Sequence, residues 1–263
     1  MLLENKVVLV TGASRGIGAS IAIEASRNGA SVVVHYGHSR IQAEEVQNRI
    51  ADLGGRAILV QADLGDAEAP LRLVEESWGA FGSIDVLISN AGITGLRSHF
   101  LDIPLSDFEQ TWNVNVRGAF LTTQGIAKKM VSEGKGRILV VTSVDAIRPA
   151  TDRAHYAATK GALESMMKNV ALELSPHGIL VNTLAIGAVE TDMTAATLAD
   201  PDALNEVLRG IPLSRMAKPS EIAKLVCILA SSQVTYMTGS TILVDGGLAL
   251  MRGYGSPTNY MQG

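Results

Sequence analysis

The chain has 263 residues, with 22 Lys and Arg against 26 Asp and Glu for a net charge of −4, and its 47% hydrophobic content includes only 4% aromatics. The lack of a basic block excludes a nucleic-acid surface, the single cysteine excludes an internal disulfide, and the length suffices for a core without staples. No apolar run reaches the roughly 18 residues of a membrane span, and Met1–Lys6 lacks the basic region and apolar core of a secretion leader, so a cytoplasmic protein without membrane contact is expected.

Short apolar runs alternate with helical stretches along the whole chain. Val7–Val10 is a predicted strand, followed by a helix from about Gly16 to Asn28 that Gly29 ends. Ser31–His35 is the second strand, and a charged amphipathic helix spans about Ile41 to Leu53 before Gly54-Gly55. Ala57–Gln61 is the third strand, with a helix near Ala67–Trp78. Ile84–Ser89 is the fourth, and Ser106 is predicted to cap one long helix reaching about Val131. Arg137–Thr142 is the fifth strand, followed by a polar loop and a helix carrying Tyr156 and Lys160. Leu180–Leu184 is the sixth; a variable helical region covers about Thr194–Arg209, another helix Lys218–Ala230, and the seventh strand is Thr241–Val244.

Strands alternating with helices predict an α/β fold: one doubly wound, Rossmann-type domain over residues 1–250, with seven parallel strands flanked by helices. Residues 190–213 are expected to form a lid over the substrate, and residues 251–263 a C-terminal tail whose Tyr254 and Tyr260 have apolar surface to bury. Cys227 falls in an apolar helical pattern and is expected to be buried and unreactive. With no cluster of Cys and His, no metal site is expected.

Thr11-Gly12-Ala13-Ser14-Arg15-Gly16-Ile17-Gly18 joins the first strand to the first helix. Gly12 permits the tight turn, Gly16 lets backbone approach a ligand, and Gly18 brings helix against sheet. Free N–H groups and the helix dipole there suit a pyrophosphate. A dinucleotide bound at such a turn is read at the end of the second strand, where a carboxylate would hold a ribose 2′-hydroxyl and repel a 2′-phosphate. That position is the neutral Tyr36, with Arg15, His38, Ser39 and Arg40 nearby. Arg grips a phosphate in bidentate fashion, so NADP(H) is expected in preference to NAD(H).

The fifth strand delivers Ser143 at its carboxyl end, and Tyr156 and Lys160, four residues apart, share one helix face. An ammonium near a phenol favours the phenolate, so Lys160 is expected to hold the Tyr156 pKa below the usual value of about 10. A hydroxyl such as Ser143 can bond the same substrate oxygen. The set suits proton transfer to or from a carbonyl or alcohol.

Ser143, Tyr156 and Lys160, together with Gly12-x-x-x-Gly16-x-Gly18, resemble the short-chain dehydrogenase/reductase family, and the resemblance runs from about Lys6 to Gly247. It implies that Asp63, beside Leu64, contacts the adenine amino group, and that Asn90-Ala91-Gly92 lies along the adenine ribose while Asn90 braces the sheet. It implies that Asn115, the second asparagine of the mid-helix Asn113-Val114-Asn115, anchors a proton relay through Lys160. It also implies that Val189 and Thr191, after Gly187, address the nicotinamide carboxamide; the family's usual Pro before that glycine is Ile186 here, which predicts a less rigid turn. The implied reaction interconverts a ketone and a secondary alcohol: Tyr156 exchanges the proton, Ser143 orients the oxygen, and Lys160 holds the nicotinamide ribose. Pro212-Leu213-Ser214-Arg215-Met216 and Pro219-Ser220-Glu221 resemble 3-oxoacyl-carrier-protein reductases. Against that substrate, Glu133-Gly134-Lys135 and Ser175-Pro176-His177 lack the arginines expected to meet an acidic carrier. The alternative is a sugar, polyol or small-ketone dehydrogenase; one of another class is a non-catalytic NADP-binding sensor. The resemblance further implies a homotetramer, and Ala157, Ala158, Gly161 and Ala162 permit close helix approach.

Overall fold

The computed structural model describes residues 1–250. Seven parallel strands form one sheet in the order β3-β2-β1-β4-β5-β6-β7. They are β1 (Val7–Val10), β2 (Ser31–Tyr36), β3 (Arg56–Gln61), β4 (Val86–Ser89), β5 (Gly136–Ser143), β6 (Ile179–Ile186) and β7 (Thr241–Val244). The chain winds outward from β1 to β3, returns to β4 beside β1, and continues to β7. That reversal between β1 and β4 opens a crevice at the carboxyl ends of the strands, the place where such sheets bind ligands.

The strands read as unbroken apolar runs because both sheet faces are covered. Val8 and Val10 join one core with Ile21 and Ala22 of α1 (Gly16–Arg27), Val46 of α2 (Arg40–Asp52) and Val226 of α9 (Pro219–Ala230). Leu9 points the other way, into a second core with Leu73 of α3 (Ala69–Phe81), Ile126 of α5 (Ala119–Glu133) and Leu163 of α6 (Ala154–Leu174). Cys227 lies within the first core, and burial pushes its thiol pKa up to about 12.

Helix and strand ends fall within a few residues of those predicted, with one correction. Ser106 does not cap a helix: the cap is Pro104, two residues earlier, whose ring presets the entry angle into α4 (Leu105–Trp112). The long helix predicted to reach about Val131 does so, α4 passing through a π turn, Asn113–Gly118, into α5. The extra residue turns Asn115 inward, and Gly118 packs so closely on Leu64 that a Cβ would collide with the Leu64 carbonyl. At the other side of the crevice, Ile186 continues β6 by pairing with Val244, and Gly187 N–H donates to the Val244 carbonyl at 3.0 Å. The ladder, not a proline, holds that turn. The lid region folds as a 3-10 turn (Asp192–Thr194), α7 (Ala195–Ala199) and α8 (Pro201–Arg209). The expected contact of the tail lies outside the described residues.

Candidate active site

The glycine turn is tied into the sheet by side chains as well as backbone. Thr11 Oγ1 accepts the N–H groups of Asn90 and Ala91, each at 3.0 Å. Asn90 returns two bonds from Nδ2, to the carbonyls of Thr11 at 3.0 Å and Gly12 at 3.1 Å. Gly12 and Gly16 take φ of +62° and +57°, conformations that favour glycine. A Cβ on Gly18 would collide with the Gly12 carbonyl and the Asn90 amide. Arg15, at the N-cap of α1, makes no side-chain cap bond, and the first turn holds no acidic residue. The opening N–H groups of α1, near Ser14 and Ile17, therefore face outward without an acidic competitor, which fits a pyrophosphate.

Around the second and third strand ends the residues are less convergent. Tyr36 is buried. Arg40 lies 2.8 Å from Glu44, one turn along its own helix, and Ser39 caps that helix without a side-chain bond. His38 Nε2 sits 3.6 Å from Asp63 Oδ2, while Asp63 Oδ1 accepts the Gly65 N–H at 2.9 Å. Arg15 is an exposed cation at the turn: its side chain is 64% exposed, and among the described residues its ionic neighbour is Asp192, at 4.0 Å.

The three chemistry-bearing side chains meet where β5 and α6 leave the sheet. Ser143, the last residue of β5, is buried and its Oγ accepts the Asp145 N–H at 3.1 Å. Lys160 is buried and donates to the Val141 carbonyl at 3.1 Å, with Nζ 5.7 Å from the centroid of the Tyr156 ring. Gly92 passes so close that a Cβ would lie 3.1 Å from Asn115 Oδ1 and 3.3 Å from Lys160 Nζ. Asn115 is saturated: Oδ1 accepts the Ile93 N–H at 2.8 Å, and Nδ2 donates to the Ile93 carbonyl at 2.8 Å and the Thr159 hydroxyl at 3.1 Å. Thr159 in turn donates to the Tyr156 carbonyl at 2.7 Å.

Burial lowers the Lys160 pKa to about 8. For Tyr156 the expected direction is overturned. Burial raises the phenol above its usual value, and the neighbouring Ser143 hydroxyl is the chief opposing influence, with Asp145 raising and Arg153 lowering it. Desolvation wins because Tyr156 is enclosed and the Lys160 ammonium is directed at Val141 instead of the phenol.

Across the crevice, Val189 is buried and bridges to Ala217. Thr191 opens the lid turn in a capping box with Thr194, whose hydroxyl accepts the Thr191 N–H at 3.0 Å. A Cβ on Gly16 would lie 3.5 Å from Thr191 Cγ2, so lid and glycine turn are neighbours. A depression lined by Lys6, Asp85 and Arg137 sits at the opposite end of the strands and holds none of these groups.

Sequence reading missed three residues that border the site. His35 is buried between the glycine turn and β3: Nδ1 accepts the Gly12 N–H at 3.0 Å and Nε2 donates to the Ala62 carbonyl at 3.0 Å. Burial lowers its pKa to about 4, which keeps the ring neutral. Asp145 and Arg153 pair at 3.2 Å beside Ser143 and Tyr156. Asp145 followed Ser143 by two in the sequence, and that proximity was the available signal.

Comparison with known proteins agrees with this geometry. Residues 12–249 match the family model described as Enoyl-(Acyl carrier protein) reductase. The chain is 41% identical to an L-rhamnose 1-dehydrogenase (NAD(P)(+)) of Azotobacter vinelandii over 94% of its own length and 98% of that protein's. It is 38% identical to a 3-oxoacyl-[acyl-carrier-protein] reductase of Synechocystis sp., covering 94% and 98%. A short-chain type dehydrogenase/reductase from Mycobacterium marinum superposes with a TM-score of 0.87 at 36% identity, covering 94% and 96% of the two chains. The chain belongs to the short-chain dehydrogenase/reductase family of oxidoreductases acting on CH–OH groups.

Proposed function

We propose that the chain is an NADP(H)-preferring dehydrogenase that oxidises a sugar of the aldose class at a CH–OH carbon. The observation that carries the reading is the meeting of Tyr156 with the Ser143 hydroxyl and with buried Lys160, whose Nζ also lies within reach of Gly92 at the end of β4. The resemblance to an L-rhamnose 1-dehydrogenase favours a sugar over the acyl-carrier substrate, the less supported of the two expectations. Charge supports the same choice: Lys135, the main cation available to an acidic carrier, lies 3.9 Å from Asp85.

The outward N–H groups of the first turn of α1 hold the dinucleotide phosphates, and Arg15 takes the 2′-phosphate in the absence of a carboxylate at Tyr36. The bound oxidised nicotinamide supplies the acceptor for the hydride. Tyr156, once its own phenolic proton has passed to solvent, accepts the hydroxyl proton; Ser143 orients that oxygen, and Lys160 Nζ lies 5.7 Å from the centre of the Tyr156 ring. Asn115, through Thr159 and the Ile93 backbone, fixes both the Tyr156 helix and the strand-four loop.

The homotetramer implied by the resemblance would use α6, where among the described residues nothing lies within 4 Å of a Cβ built on Gly161. Light scattering should show a species four times the chain mass. The substrate reading is tested by following reduced nicotinamide on mixing enzyme and NADP+ with L-rhamnose, other aldoses, polyols and, in reverse, β-ketoesters. Turnover of an aldose is expected; turnover of the β-ketoester alone would reject it.

A further inference from the structure

Directly before Tyr156 on α6, His155 has a side chain only 1% exposed, with Nε2 3.0 Å from Asp107 Oδ2 of α4. The same carboxylate oxygen accepts the Leu96 N–H at 3.0 Å. Gly95 crosses this pair with a φ of +67°; a Cβ there would lie 2.7 Å from both Asp107 Oδ2 and Thr111 Oγ1 and would collide with His155 Nε2. The His155 ring nitrogens and the Thr111 hydroxyl have no aligned hydrogen bond. The short distance between His155 and Asp107 is thus a close packing contact, and the aligned bond of Asp107 goes to the Leu96 backbone.

The segment so gripped is a wall of the active site. It leaves β4 past Gly92, beside Lys160, and Ile93 is clamped by Asn115. At its far end the Ser98 N–H donates to the carbonyl of Asp152, in the loop between Ser143 and Tyr156, at 3.2 Å. Thr94–Ser98 therefore borders the space in front of the phenol, and Asp107 is its central anchor. We propose that Asp107 and His155 form a positioning pair that sets this wall relative to Tyr156 and so fixes how a substrate is held, without touching the reacting atoms. A backbone N–H held by a side-chain oxygen is fixed relative to the helix that carries that side chain, and displacements of the order of 1 Å in a positioning element reduce productive binding.

The proposal rests on the sugar-dehydrogenase reading, so the wild-type enzyme is first assayed with the aldose it oxidises best. In Asp107→Ala the KM for that aldose should rise about tenfold or more, with kcat within about threefold and cofactor affinity unchanged. Hydrogen exchange of the Leu96 amide should accelerate in parallel. Asp107→Asn keeps an oxygen acceptor for Leu96 and should return KM to within about threefold of wild type. If the alanine variant does not fold, Leu96→Pro, which deletes the donor at an exposed position while also fixing φ there and restricting Gly95, should raise KM in the same way. An unchanged KM, an asparagine variant as impaired as the alanine, or loss of cofactor affinity in step with substrate would each overturn the pair's role. A wild type that oxidises no aldose rejects the functional reading and the pair with it, whereas an active wild type with unaffected variants rejects the pair alone.

Discussion

Lys160 donates its hydrogen bond to the carbonyl of Val141, 3.1 Å away, and not to the phenol of Tyr156. The ammonium is thereby fixed on β5, below the aromatic ring, and it is fully enclosed. Burial disfavours its charge, and the pKa falls from the ordinary 10.5 to about 8. Between those values the unfolded chain binds more protons than the folded one, so stability rises with pH from about 8 to 10.5. Below that window the buried charge is a burden. Lys160→Met should therefore stabilise the protein at neutral pH by about 2 kcal/mol, the desolvation relieved being larger than the lost bond to Val141. Urea unfolding measures the gain, and activity should be lost in the same variant. A clear loss of stability would mean that the Lys160 bond outweighs its burial.

His35 gives the opposite end of the pH range. Its ordinary pKa of 6.5 falls to about 4 in the fold, so stability is full above 6.5 and declines as the pH drops toward 4. Protonation requires Nδ1 to give up the Gly12 N–H, which loosens the glycine turn. In His35→Asn the loss of stability between neutral pH and pH ~4.5 should be smaller than in wild type by about 2–3 kcal/mol. Unfolding titrations at both pH values, for both proteins, provide the comparison; identical pH dependence would show that other groups govern acid sensitivity.

In the proposed reading Arg15 carries the cofactor preference, because Arg40 is engaged by Glu44 and His38 faces Asp63. Arg15→Ala should lower kcat/KM for NADP+ by about tenfold or more, a loss of at least about 1.4 kcal/mol, while leaving NAD+ within about twofold. Equal losses with both cofactors would assign Arg15 to the shared pyrophosphate instead of the 2′-phosphate.

Much of this was legible from the chain because the signals were local. The β7 span Thr241–Val244 matches its apolar run residue for residue, and the glycine spacing marked the turn where φ turns positive at Gly12 and Gly16. Asn115 stood out as a polar residue in a helix interior, and the structure explains it: a π turn aims it at the Ile93 backbone. What was not legible depends on neighbours distant in sequence. The π turn between α4 and α5 coincides with the close packing of Gly118 on Leu64, far away in sequence. The role of His35 needs β1, β2 and β3 side by side. The direction of the Tyr156 shift needs the sum of burial over the whole pocket, which a Tyr and Lys four residues apart do not reveal. The choice between acyl and sugar substrates came from kinship, since no single motif in the chain specifies it.

The central claim is that the Tyr156 phenol moves the substrate's proton. Tyr156→Phe removes one oxygen from a buried ring and leaves the Thr159 bond to the Tyr156 backbone carbonyl in place. Steady-state kinetics with the best aldose, alongside cofactor titration by fluorescence, should show kcat down by about 10²–10⁴-fold with cofactor affinity unchanged. Turnover within a few fold of wild type would contradict the claim and take Tyr156 out of the chemistry.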